Sequence, residues 1–184
     1  AYVDVETTVL NPKKHTLWSL ALILVEDGKE LAPPQRWTCR PMEGTAVDPE
    51  ALEVGGVTMA ELEEMPAPAQ IKAEVEALLA QHIAKYDPKD KAFFVGYNAQ
   101  FDANFVRQWF LGLGDKYFGS WFWHPPIDVM AYAAVKLMRE RAELPNFKLA
   151  TVAKHVGLAV DEERTHDALY DIQLTRALLM KVHR

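Results

Sequence analysis

The chain has 184 residues, 49% hydrophobic and 25% charged, a composition that excludes disorder and is long enough for one domain with a sizeable core. A net charge of −6 argues against gripping nucleic acid through a broad basic surface, since that affinity comes from lysines and arginines releasing counterions, but it allows a nucleic-acid site whose positive charge comes from metal ions. The lone cysteine, Cys39, rules out an internal disulfide and a thiolate zinc site, and no apolar run or leader-like start points to a membrane, so a soluble protein with a cytoplasmic location is expected.

The opening stretch AYVDVETTVL reads as a valine-rich strand. Strand side chains alternate, so Val3 and Val5 face one side while Asp4 and Glu6 face the other. Two carboxylates roughly 7 Å apart on one face repel unless a cation lies between them; the blander alternative is a solvated edge strand. Asn11 and Pro12 supply turn chemistry, Leu17 to Val25 forms a second, buried strand, Asp27 and Gly28 turn the chain, and Gln35 to Arg40 is a third strand. These strands make an antiparallel meander. From Pro41 to Pro68 the breakers Pro49, Gly55, Gly56, Pro66 and Pro68 predict a loop. Ile71, Val75, Leu78, Leu79 and Ile83 then recur at helical spacing, predicting an amphipathic helix over the sheet that Asp87 and Pro88 end.

Ala92 to Val95 is a short apolar strand, Gly96 to Gln100 a tight passage, and Phe101, Phe105 and Trp109 lie on one face of the helix beyond it. Asp102 falls in the first turn of that helix, where ligands gather in α/β sheets and where an Asp also complements the helix dipole. Tyr117, Phe118, Trp121, Phe122 and Trp123 form an aromatic cluster, a stacking platform for bases or, more commonly, a plug of the core. Asp128 N-caps a helix reaching about Arg141, Leu149 to Val156 is a shorter helix closed by Gly157, and a last helix starts near Asp167. His166 and Asp171 would be about 140° out of phase on one helix, so they share a site only if His166 sits on the loop before it. No repeat or linker divides the chain, and 1–184 reads as a single domain.

Three of these segments, DVETT, YNAQFD with Asn98 and Asp102, and HDALYD with His166 and Asp171, resemble in order the three exonuclease motifs of the DnaQ-like 3′-to-5′ exonucleases, the group of polymerase III proofreading subunits and ribonuclease T. DPEALEVGGVT from Asp48 and FKLATVAKHVGL from Phe147 resemble further family segments, so the likeness spans nearly the whole chain. A histidine five residues before the last aspartate is similar to the histidine (DEDDh) subtype. The resemblance implies an α/β, ribonuclease-H-like fold: a mixed five-stranded sheet, antiparallel meander plus parallel strands, flanked by helices.

It also implies a catalytic set of Asp4, Glu6, Asp102, His166 and Asp171. The four carboxylates would hold two divalent cations, Mg²⁺ or Mn²⁺, roughly 4 Å apart, and His166 would take the proton from the attacking water. Thr7, Leu10, Asn98 and Phe101 would grip the terminal nucleotide. The expected substrate is the 3′ end of single-stranded DNA, cut to nucleoside 5′-monophosphates. An RNA-directed exonuclease and a non-catalytic, polymerase-associated binding module are the alternatives, and a polymerase partner and a homodimer stay open. Three positions depart from the family pattern: Val9 stands where a glycine is usual, Ser19 where the second strand often carries a glutamate, and Tyr97 where a histidine often precedes the asparagine.

Overall fold

The structure, a computed structural model, describes residues 1–8, 11–14 and 16–183. The chain enters as β1 (Tyr2–Thr7), turns back into β2 (Leu17–Ile23), makes a small ribbon of β3 (Val25–Glu26) and β4 (Lys29–Glu30), and returns as β5 (Gln35–Thr38). Three helices follow, α1 (Pro49–Val54), α2 (Met59–Glu64) and α3 (Pro68–Leu79), then β6 (Ala92–Gly96) and α4 (Ala99–Gly112). The remainder is β7 (Phe122–Asp128), α5 (Val129–Lys136), α6 (Leu149–His155) and α7 (Ala168–Val182). The main sheet is ordered β5-β2-β1-β6-β7; β1, β2 and β5 run antiparallel, β6 runs parallel to β1, and β7 parallel to β6. This is the mixed five-stranded sheet flanked by helices that the sequence leads one to expect.

β1 is the central strand, and its period of two divides its side chains between two layers. Val3 and Val5, with Leu20 and Leu22 opposite them on β2, face Ile71, Val75 and Leu79 of α3 and Val106, Trp109 and Phe110 of α4. On the other face Ala21 and Ile23 pack beneath Ala168 and Ile172 of α7, with Tyr2 beside them. Asp4 and Glu6 are therefore on the α7 side of the sheet, with Ala21 and Ser19 as their partners in register. All seven residues of β2 are buried, as a run that is apolar except for Ser19 requires of a strand covered on both faces.

The stretch between Pro41 and Pro68 is not one loop. Its breakers separate two short helices that carry their own caps: Asp48 accepts the Glu50 N–H at 2.9 Å ahead of Pro49, and Thr58 and Glu61 form a reciprocal capping box. Leu52 and Leu62 of these helices bury Trp18 between them. Gly55 is required there, since a Cβ on it would come within 2.6 Å of the Trp18 ring.

Two helices are shorter than their periodicity suggests, α3 stopping at Leu79 and α5 at Lys136. The aromatic cluster is largely a core plug, with Phe118, Trp121 and Phe122 buried and the Phe94 and Phe122 rings edge-on at 5.3 Å. Pro125 and Pro126, which look like a break, lie inside the outer strand β7. The ladder passes from Phe93↔Trp123 to Val95↔Ile127, so the two prolines fall in a bulge where no ladder bond is lost. Pro33 and Pro34 stand just ahead of β5, the opposite outer strand.

Candidate active site

At the far end of β1 two strands part company. β1 pairs with β6 in register only at Tyr2↔Val95, and β6 stops at Gly96 to let the chain turn into α4. The N–H of Val5 is thus left without a neighbouring strand, and a buried backbone donor needs an acceptor. Asp102, in the first turn of α4 and 3% exposed, supplies it with Oδ1 at 3.1 Å. Gly96 makes the close approach feasible, because a Cβ there would lie 3.1 Å from the Val3 carbonyl oxygen and 3.3 Å from Ala99 Cα.

The turn into α4 is fixed from the next strand. Asn98 adopts a left-handed conformation (φ 64°), and its N–H donates to Asp128 Oδ1 at 3.0 Å. The same oxygen takes the Met130 N–H at 2.9 Å and so caps α5. One carboxylate therefore joins the start of α5 to the entry of α4, a task that its reading as a helix cap alone does not reveal. Asn98 makes no side-chain cap bond to α4 and is exposed, while Phe101 is half-buried with its ring 4.9 Å from that of Phe105.

β1 ends in an irregularity. Glu6 pairs with Ser19 but Thr7 with Leu17, so Trp18 is skipped and the strand bends just past the carboxylates. Thr7 lies at this bend, and Thr8 anchors it: its hydroxyl donates to the Ala46 carbonyl at 2.9 Å and accepts the Thr16 N–H at 3.1 Å. Leu10 lies outside the described residues.

α7 brings the last two groups, in the arrangement their spacing demands. Asp167 caps the helix by accepting the Tyr170 N–H at 3.0 Å, and His166 sits just before it on the loop in a left-handed conformation (φ 71°). From there the His166 N–H donates to Asp171 Oδ2 at 3.3 Å. His166 and Asp171 line one cavity of about 390 Å³.

The electrostatics join these pieces. Burial raises the Asp4 carboxyl well above the usual range, and Asp102, Glu6, Asp171 and Asp167 push it further. Glu6 is raised to about 8, first by burial and then by Asp171, with Arg36 opposing the shift. Burial also raises Asp102, against the Val5 hydrogen bond, and lifts Asp171 to about 6. Asp4, Glu6, Asp102 and Asp171 thus form one electrostatic unit made only of oxygen donors.

Such a set suits a hard divalent cation. Among the described residues no three His, Cys, Asp or Glu side chains converge closely enough to cage an ion unaided.

Two basic groups at the site escape sequence reasoning. Arg36 of β5 donates to Ser19 Oγ at 3.1 Å and lies 3.6 Å from Asp167, placing a cation beside Glu6. Its partner Ser19 lies on the neighbouring strand β2, and sheet register rather than local sequence brings the two together. Lys148 lines the cavity of His166, and no periodicity marks it.

Comparison with known proteins identifies the family. The exonuclease family model RNase_T matches residues 2–179. Ribonuclease T of Actinobacillus pleuropneumoniae is 25% identical over 96% of this chain and 79% of its own length. The 3′-5′ DNA exonuclease Cap18 of Escherichia coli is 25% identical over 96% of this chain and 89% of its own. Among solved structures, E. coli exonuclease I in complex with a dT13 oligonucleotide superposes with a TM-score of 0.75 at 22% identity, covering 98% of this chain. This chain spans only 40% of that structure's length.

Proposed function

This chain belongs to the DnaQ-like 3′-5′ exonucleases, and from that premise we propose that it hydrolyses single-stranded DNA from the 3′ end, with residues 1–184 acting as one exonuclease domain. The observation that carries the reading is the single electrostatic unit of Asp4, Glu6, Asp102 and Asp171 with His166 beside it. Asp4 and Glu6 from β1, Asp102 from α4 and Asp171 from α7 would hold two divalent cations, Mg²⁺ or Mn²⁺. Bound there, the cations would supply the charge that polarises the scissile phosphate and the attacking water.

The chain's own residues do the rest. His166 is exposed on the cavity wall next to Asp171, where its imidazole can take the proton of the water. The water oxygen bonds to phosphorus, the bond to the 3′ oxygen breaks, and that oxygen leaves on the shortened strand with a proton from solvent. The terminal nucleotide departs as its 5′-monophosphate. Thr7, Leu10, Asn98 and Phe101 are assigned to the terminal nucleotide: Asn98 and Phe101 flank the Asp102 turn, and Thr7 ends β1.

DNA is favoured by Cap18, a DNA exonuclease, and by exonuclease I, whose complex holds a dT13 oligonucleotide. RNA is the second reading, because a Ribonuclease T matches at the same 25% identity. The deciding experiment compares matched linear DNA and RNA oligomers and a circular single-stranded DNA, with Mg²⁺ or Mn²⁺ and with chelator. The proposal expects linear DNA to be shortened fastest, the circle to resist, and both chelator and Asp4→Ala to abolish turnover. Cleavage of circles at the rate of linear strands, or full activity in chelator, overturns it.

A further inference from the structure

The catalytic set does not account for how the loop carrying His166 is held. His166 has a left-handed backbone (φ 71°), uncommon for a residue with a side chain and persistent only where the surroundings enforce it. Its own N–H reaches Asp171 at 3.3 Å, a long bond, so further support falls to the next residue. Both oxygens of Asp167 are engaged: Oδ1 caps α7 through the Tyr170 N–H at 3.0 Å, and Oδ2 faces Arg36 Nη1 at 3.6 Å.

Arg36 rises from the same sheet as the catalytic carboxylates. In register, Asp4 pairs with Ala21 and Ala21 with Arg36, while Glu6 pairs with Ser19. Residues paired across a ladder share a face, so Arg36 stands on the α7 side of the sheet in the row of Asp4. Its Nε donates to the hydroxyl of Ser19, which is fully buried in the row of Glu6, at 3.1 Å. The planar fork is thus braced on β2 before it meets Asp167. A solvent-exposed ion pair by itself contributes little to stability. Here one partner is braced on a buried hydroxyl and the other is a helix cap, so the pair fixes a geometry: the edge of the sheet is clasped to the residue that follows His166.

We propose that Arg36 is a positioning residue of the exonuclease site: braced on Ser19, it holds Asp167 and with it the His166 loop, keeping the imidazole where the attacking water is activated. The proposal rests on the exonuclease reading, in which His166 takes the proton of that water. Arg36 touches no reacting atom and acts through Asp167. A displacement of about 1 Å in a catalytic group can cost 10²-fold in rate, and loosening a clasp that leaves the helix cap in place should cost less, about tenfold.

The test uses Arg36→Met, Asp167→Asn, the double variant, and Arg36→Met combined with His166→Ala. Arg36 and Asp167 are 34% and 35% exposed and asparagine still caps a helix, so the variants should fold. Turnover is measured on a linear single-stranded oligomer at saturating Mn²⁺, and amide hydrogen exchange at His166 and Tyr170 without metal. Each single substitution is expected to lower kcat about tenfold with KM unchanged, and the double variant to be no slower than either. Arg36→Met should cost nothing further once the imidazole is gone, and should speed exchange at both amides about tenfold. A role through charge alone predicts otherwise: Glu6, raised first by burial, is lowered by Arg36 and raised by Asp167, so the two substitutions would act in opposite directions and cancel in the double variant. That pattern overturns the proposal, as does unchanged turnover in Arg36→Met, or an equal loss with and without His166. A wild type that cleaves oligomers, with neither turnover nor exchange altered by Arg36→Met, removes the clasp and leaves the exonuclease standing. A wild type that cleaves nothing while exchange responds as expected removes the exonuclease reading and leaves the clasp as a purely structural one.

Discussion

The carboxylate of Asp102 accepts the backbone N–H of Val5 at 3.1 Å, so a residue assigned to chemistry also closes the gap where β1 and β6 diverge. The two duties separate by substitution. Asp102→Asn keeps an acceptor and removes the charge; Asp102→Ala strands a buried donor, at a cost of about 1–3 kcal/mol. Both variants should be inactive, but in denaturant titrations without metal only the alanine variant should be clearly less stable than wild type. Equal destabilisation by both would show that the hydrogen bond is not what holds the turn.

Glu6 at about 8 and Asp171 at about 6 both stand above the ordinary carboxylate range, and burial is the first cause of each. A carboxyl whose folded value is raised binds its proton more tightly in the folded state, so its contribution to stability is complete below about pH 4 and is lost as pH rises through the folded value. Metal-free protein should therefore lose stability from about pH 4 to 8, beyond any trend set by other groups. At about 2–4 °C per kcal/mol for a chain of this length, the loss should be visible as several degrees in Tm. Saturating Mg²⁺ or Mn²⁺ should restore it, since a ligand that binds only the folded state stabilises that state. A melting curve in chelator that is flat or rises over this window would contradict the assignment.

His166 contributes its N–H to Asp171 through the backbone, a bond that His166→Ala keeps. Loss of the imidazole should therefore lower kcat by roughly 10²- to 10⁴-fold with substrate affinity nearly intact. Asp171→Ala should weaken metal binding as well. Single-turnover rates and metal titrations on the two variants make the comparison; a His166→Ala protein that cleaves at the wild-type rate would remove the histidine from the mechanism.

Gly96 is hemmed in by backbone rather than by a flexible side chain, with Val3 O 3.1 Å and Ala99 Cα 3.3 Å from where a Cβ would stand. Gly96→Ala should cost about 1–3 kcal/mol by overpacking. It should also reduce turnover, because the relief available is to push α4, and Asp102 with it, away from β1. Denaturant midpoints and oligomer turnover measured together test the coupling; full activity at reduced stability would show that α4 holds its place.

How much of this was written in the sequence depends on whether the information is local. Asp4 and Glu6 announce themselves because a strand's period of two puts them on one face, and the spacing of His166 and Asp171 forces a loop-then-helix arrangement that the structure contains. The Val5 bond is different: it exists because the β1–β6 ladder stops short, and no pattern within either segment says where a ladder stops. α1 and α2 were legible in part, since Thr58 and Glu61 have the spacing of a capping box, but the surrounding prolines and glycines suggest loop more strongly. Arg36 and Lys148 carry no periodic signal, and their place at the site follows from sheet register in one case and from the bond of the Tyr97 hydroxyl to the Phe147 carbonyl in the other.

The prolines beside the two outer strands have a consequence for association. An outer strand ordinarily offers a row of free N–H and C=O groups to which a further chain can add. Beyond β7 such a chain would meet Pro125 and Pro126, neither with an N–H to give, in a bulge that also breaks the strand's line; ahead of β5 it would meet Pro33 and Pro34. Edge-to-edge addition of a further strand is thereby hindered at the bulge of β7 and at the entry to β5.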